Sequence, residues 1–130
     1  MQSILIQTLF RPARRRMRFR TAFVLYFLIL ILGSLPHARE EIGTFASGPV
    51  LHSIAYAIIT FLLATGADRR PLAQSMQAFL IVVVMGALDE CVQSFFPYRT
   101  AAVSDWLVDC SASLIMASIL LPPHMKLARG

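Results

Sequence analysis

Charge is scarce in this chain of 130 residues: 15% of its positions are charged against 57% hydrophobic, and the acidic residues number only seven. A soluble domain of this length covers itself with about a quarter charged residues, so the deficit excludes an ordinary water-soluble globule. Cysteine is scarce too. Cys91 and Cys110 are too few for a disulfide scaffold and lack metal-ligand spacing. They read as free thiols in helices, with a bridge left open by their similar expected depth. Long linkers, low-complexity tracts and internal repeats are all missing, which leaves one domain over residues 1–130. No nucleophile motif stands out either, because Ser53, Cys91 and Ser104 lack the spacing that identifies one.

Apolar length is what the chain has in abundance. The stretch AFVLYFLILILGSL, residues 22–35, is apolar on every side, with Tyr26 and Ser34 as mild exceptions. A helix of that kind faces lipid rather than water. Four such segments occur, near 20–35, 49–65, 72–96 and 102–121, each about long enough to cross ~30 Å of hydrocarbon at ~1.5 Å per residue. Pro36, Gly48-Pro49, Gly66, Pro71, Pro97 and Pro122-Pro123 punctuate them at their expected ends. The fold expected is all-α, an integral membrane four-helix bundle. An arginine-rich start followed by an apolar run also resembles a signal peptide, but Pro36 stands where cleavage requires a small residue, so the segment reads as a retained first span.

The net charge of +5 is unevenly placed, since six of the eleven arginines lie in RPARRRMRFR, residues 11–20. Position turns what could be a nucleic-acid signal into an orientation signal, because basic residues beside a span bias it toward the cytoplasm. With four crossings, Arg11, Arg14, Arg15, Arg16, Arg18, Arg20, Arg69, Arg70, Lys126 and Arg129 fall on one side and Arg39 and Arg99 on the other. The positive-inside rule then puts both termini in the cytoplasm, with membrane lipids as partners and no nucleic acid.

Four of the seven carboxylates crowd into GALDECVQSFFPYRTAAVSDWLVDC, residues 86–110. On insertion scales a carboxylate at the bilayer centre costs roughly 2.5–3.5 kcal/mol, so these acids are expected to face one another across a hydrated recess rather than lipid. The i,i+4 pairs His52/Tyr56, Asp89/Gln93 and Asp105/Asp109 each occupy one helix face. An antiparallel hairpin about Arg99 sets Gln93 level with Asp105, and Asp89 and Glu90 level with Asp109. Repulsion among the acids would be relieved by Arg99, by a protonated His52, by a bound cation or by a carboxylate that keeps its proton. Plainer readings exist for single residues: Gln93 and Ser104 can merely join helices, Tyr56 can be a packing residue, and Trp106 can anchor the interface. Ala112, Ser113, Ala117 and Ser118 read as small-residue helix contacts.

These residues resemble the VanZ-like family of small bacterial membrane proteins, named for a protein associated with resistance to the glycopeptide teicoplanin. The family's H-x-x-x-Y matches His52 and Tyr56, its D-E-x-x-Q matches Asp89, Glu90 and Gln93, its arginine after a proline turn matches Pro97 and Arg99, and its aspartate six residues on matches Asp105. The chain departs from the pattern at Pro49, where members often carry a basic residue, at Asp109, where they carry asparagine, and at Ala112, where they carry glycine. The resemblance implies a multi-pass protein of the bacterial cytoplasmic membrane acting at the cell envelope.

Two functions compete. In the first, the protein is an enzyme acting on a lipid-linked or envelope substrate, with His52 and Asp89 or Glu90 as acid and base, Arg99 holding an anionic group and Asp105 orienting the histidine or the arginine. Tyr56, Gln93 and Asp109 would contact the substrate. A variant adds a divalent metal held by His52 and the carboxylates, whose oxygen-rich set suits magnesium, calcium or manganese more than zinc. In the second, the protein is a non-enzymatic binding or accessory component, and helices this short gain from homo-oligomerisation. A proton pathway would need acids spread through the bilayer depth, and here they gather at one end.

Overall fold

The computed structural model describes residues 12–36, 41, 44 and 47–129. Within them a short turn of 3-10 helix, Pro12–Arg14, leads into four α-helices: α1 (Arg15–Ser34), α2 (Gly48–Gly66), α3 (Pro71–Gln93) and α4 (Val103–Arg129). No strand occurs among the described residues. All four helices are long and apolar enough to cross a membrane, and the chain is an all-α four-helix bundle. Val24, Phe27, Ile31, Leu80, Val84 and Ile119 are exposed on its outside, as suits a surface solvated by acyl chains rather than water.

Side-chain contacts set the helices in up-down-up-down order. The first turns of α1 meet the end of α2, where the Arg18 guanidinium donates to the Thr65 carbonyl at 2.7 Å and 3.3 Å and Arg15 pairs with Asp68. The last turn of α1 meets the α3–α4 connection instead. There Arg99 Nη1 donates to the Gly33 carbonyl and the Tyr98 hydroxyl to the Ser34 carbonyl, both at 2.6 Å. These are the carbonyls a helix end leaves without intrahelical partners. α2 supplies the heart of the core, with Tyr56, Ile59 and Leu63 fully buried against Tyr26 of α1 and Val82 of α3.

Three boundaries differ from those expected. α1 begins at Arg15 rather than near 20, because arginine and methionine are good helix formers and because Arg15 and Arg18 are tied to the end of α2. α3 ends at Gln93 rather than 96. The chain tightens there into i→i−3 bonds, Phe95 to Val92 and Phe96 to Gln93, as the residue before Pro97 is driven from helical geometry. α4 runs through Pro122 and Pro123 to Arg129 instead of stopping. Proline's fixed φ is itself near-helical, so the pair removes two N–H donors without ending the helix, a defect that membrane bundles tolerate. Arg11 and Arg39 lie outside the described residues.

Gly66 marks the tightest approach in the bundle. A Cβ placed on it would stand 2.6 Å from the Phe19 backbone nitrogen and 2.9 Å from its Cα. Gly66→Ala therefore forces α1 away from α2 and should lower stability by about 1–3 kcal/mol, the usual cost of overpacking. Gly48→Ala, which meets nothing within 4 Å, should leave it within about 0.5 kcal/mol. Unfolding of the two variants in detergent micelles checks the contrast.

Candidate functional site

The starts of α2 and α4 and the end of α3 gather at one end of the bundle, and the polar residues singled out in the sequence lie on them. The i,i+4 spacing of His52 and Tyr56 puts both on the inner face of α2, with their rings stacked at 6.0 Å and an interplanar angle of 22°. His52 Nδ1 lies 2.9 Å from Asp109 Oδ1. In the tautomer with its proton on Nδ1, His52 donates to the carboxylate and Nε2 is left as the ring's acceptor. The Asp109 side chain is 0% exposed and that of His52 17%. The pair thus has a sealed acid and a ring still open to the surroundings.

Asp89 is buried one turn beyond Met85 and accepts the Tyr56 hydroxyl at 3.2 Å. Glu90 turns toward the start of α4, where its Oε2 accepts the Ala102 N–H at 2.7 Å. Ala102 also offers its carbonyl to the Asp105 N–H at 2.9 Å, so Glu90 caps the helix from outside by taking one of its orphan donors. Asp105 sits in the first turn of α4, half-buried, where the helix dipole favours a negative charge. Gln93 is buried.

Three polar atoms of this cluster are buried without a hydrogen-bond partner among the described residues: Asp109 Oδ2, Glu90 Oε1 and Gln93 Nε2. Asp109 Oδ2 stands against Gly86, where an added Cβ would lie 3.2 Å from it and 3.0 Å from Trp106 Cδ1. Asp109 therefore lies opposite Gly86, deeper than the level of Asp89 and Glu90 that a symmetric hairpin gives. The early end of α3 accounts for the shift, since it lengthens the connection on one side only.

Several of these residues make contacts that the sequence did not suggest. The hydrogen-bond partner of His52 is Asp109, not Asp105. Arg99 donates through Nη1 to the end of α1. No three His, Cys, Asp or Glu side chains converge as a metal-binding group among the described residues, so the divalent-ion variant finds no donor set there. Cys91 and Cys110 are free. Trp106 secures α4 to α3, with Nε1 donating to the Val83 carbonyl at 3.0 Å. Of the small residues on α4, Ser113 and Ala117 are buried while Ser118 is exposed.

Other contributors were not anticipated in this role, Ser113 having been expected only as a small-residue helix contact. The Thr60 and Ser113 hydroxyls share a 2.8 Å hydrogen bond between α2 and α4, and both are fully buried. Their signal was present: Thr60 extends the His52/Tyr56 spacing by four residues, and Ser113 extends Asp105/Asp109 by four. Tyr26, whose hydroxyl donates to the Met85 carbonyl at 3.1 Å, brings α1 against the α3 turn that precedes Asp89. A lone tyrosine in an apolar run carried no such signal. The chain matches no protein-family model, no curated protein and no solved structure.

Removing His52 strands a buried carboxylate. His52→Ala should cost about 3 kcal/mol or more, whereas Asp109→Asn should cost less and should recover much of the loss in the His52→Ala background. A double-mutant cycle from unfolding in detergent reads the coupling, and additive losses would show that the two side chains do not interact.

Proposed function

We propose that this four-pass protein works at the extracytoplasmic face of a bacterial cytoplasmic membrane, as a VanZ-like protein, on a lipid-linked or other cell-envelope substrate. One observation carries the reading: a buried Asp109 carboxylate holds Nδ1 of a partly open His52 at 2.9 Å. A carboxylate that fixes one ring nitrogen orients the other for proton transfer, the arrangement general acid–base chemistry requires. Asp105, with no side-chain hydrogen bond among the described residues, and Gln93, whose buried Nε2 has none, are the groups left to meet a ligand. Tyr56 and Asp89 form the wall behind the histidine.

The side of the membrane rests on charge. Arg14, Arg15, Arg16, Arg18, Arg20, Arg69, Arg70 and Lys126 cluster at the end away from His52, and the positive-inside rule makes that end cytoplasmic.

A second reading, a binding or accessory protein without catalysis, is favoured by how many polar groups hold helices together. Glu90 caps α4, and Arg99 and Tyr98 close the end of α1. In that reading the cluster is an interhelical lock that shapes a recognition pocket.

His52→Gln, Asp109→Asn and Asp105→Asn, each checked for membrane abundance, separate the two. An enzyme loses about 10²-fold or more of its envelope-lipid product with His52→Gln at unchanged abundance, read by mass spectrometry of extracted lipids. A lock loses abundance and alters no lipid chemically. Reporter fusions at Arg69 and at Tyr98 test the orientation, and a cytoplasmic signal at Tyr98 overturns the extracytoplasmic placement.

A further inference from the structure

The basic end of the bundle holds a cavity of its own, about 380 Å³, within the ~300–1,000 Å³ typical of small-molecule sites. Its floor is Phe19 and Gly66, and Arg16, Arg20, Arg69 and Gln77 stand around it. The positive-inside rule counts these arginines alike, yet the structure sorts them into two sets. Arg15 and Arg18 are engaged with the end of α2, through Asp68 and the Thr65 carbonyl. Arg16 and Arg20, four residues apart on one face of α1, flank the cavity with Arg69 of the α2–α3 turn.

Those three guanidiniums are exposed and make no ion pair among the described residues. Asp68 also borders the cavity, but its carboxylate is taken by Arg15. Three like charges around one concavity repel one another, and a bound anion relieves that repulsion. The geometry is also suited to more than a bare charge. Gln77 lines the same cavity with its Oε1 buried and without a hydrogen-bond partner among the described residues, so an acceptor waits for a hydroxyl beside the guanidiniums. The first turns of a spanning helix lie at headgroup depth, where basic pockets between helices take lipid phosphates.

We infer that this cavity is a binding site for a phosphate anion that also offers a hydroxyl donor, either the glycerol hydroxyl of an anionic glycerophospholipid headgroup or the P–OH of free phosphate. Guanidiniums hold phosphate oxygens through paired N–H donors, and the Gln77 oxygen accepts the hydroxyl. The site is at the opposite end of the bundle from His52 and does not depend on the function proposed for that histidine.

The full-length protein in mild detergent is titrated with phosphatidylglycerol, phosphatidylcholine and inorganic phosphate, with retained ligand read by native mass spectrometry. The double variant Arg20→Gln/Arg69→Gln is compared with Arg14→Gln/Arg70→Gln, which removes equal charge outside the cavity. The cavity variant should lose about tenfold or more in phosphatidylglycerol affinity, the equivalent of one charge-assisted hydrogen bond, while the other double variant keeps it. Gln77→Leu, which changes no charge, should weaken phosphatidylglycerol binding severalfold, and it keeps the test decisive should the arginine variant fail to fold. Displacement by millimolar inorganic phosphate identifies free phosphate as sufficient, and retention against it places the ligand in the bilayer; both uphold the site. Equal losses in the two double variants, or equal retention of phosphatidylcholine and phosphatidylglycerol, overturn it.

Discussion

Hydrocarbon offers no hydrogen bonds, so every donor and acceptor at membrane depth must be met from within the protein. Helices meet that demand along their length and fail it at their ends, and in this bundle the ends of α1 and α2 and the start of α4 are closed by side chains from other segments. Arg18 of α1 and Gln74 of α3 donate to the carbonyls of Thr65, in the last turn of α2, and of Ala67, just after it. Tyr98 and Arg99 do the same for α1, and Glu90 serves the start of α4. The closures made by Arg18, Tyr98 and Arg99 join segments far apart in sequence, so satisfying the backbone there also fixes which helix ends are neighbours.

The same constraint explains how so apolar a chain keeps four carboxylates in and beside its spans. Asp89 and Asp109 are buried among helices, one taking the Tyr56 hydroxyl and the other His52. Glu90 takes a backbone N–H, and Asp105 stands where a helix N-terminus favours its charge. The Glu90 bond is structural and the His52–Asp109 pair has reactive potential, yet both come from the avoidance of lipid. That is why a polar cluster in a membrane bundle is ambiguous between lock and catalyst until its open atoms are identified, and among the described residues they include His52 Nε2, Gln93 Nε2, Glu90 Oε1, Asp109 Oδ2 and the Asp105 carboxylate.

The four spans were legible in the sequence because hydrophobic length and proline punctuation act locally. So were His52 and Tyr56 as one helix face. The partnership of His52 with Asp109 rather than Asp105 was not, because it depends on the register between α2 and α4, and register depends on where α3 unwinds before Pro97. The bond from Arg99 to the end of α1 was hidden for a related reason: an arginine near four acids suggests a charge partner, while the uncapped end of α1 is invisible in a linear reading. Pro122-Pro123 misled as a stop signal because a proline pair breaks helices far more reliably in water than between packed neighbours. Thr60 and Ser113 were legible in principle, extending two spacings already noticed.

Two glycines locate the points where the bundle has least freedom, and each adjoins one of the two polar regions. Gly66 lets α1 reach backbone contact with α2 on the floor of the basic cavity, and Gly86 lets the α3 backbone meet the Asp109 carboxylate and Trp106. A crossing held by a missing side chain cannot slide without opening a void or forcing a clash, because interiors pack at near-crystalline density. Gly66 therefore sets how closely the helix that carries Arg16 and Arg20 packs on the helix that leads into Arg69, and Gly86 how closely the helix that carries Asp109 packs on α3. Sites that must recognise a ligand or move a proton need their groups placed within about half an ångström, and a lipid-solvated bundle of short helices has few other means of enforcing that. The close crossings resist sliding at each end, which lets chemically opposite regions sit at the two ends of a single small bundle.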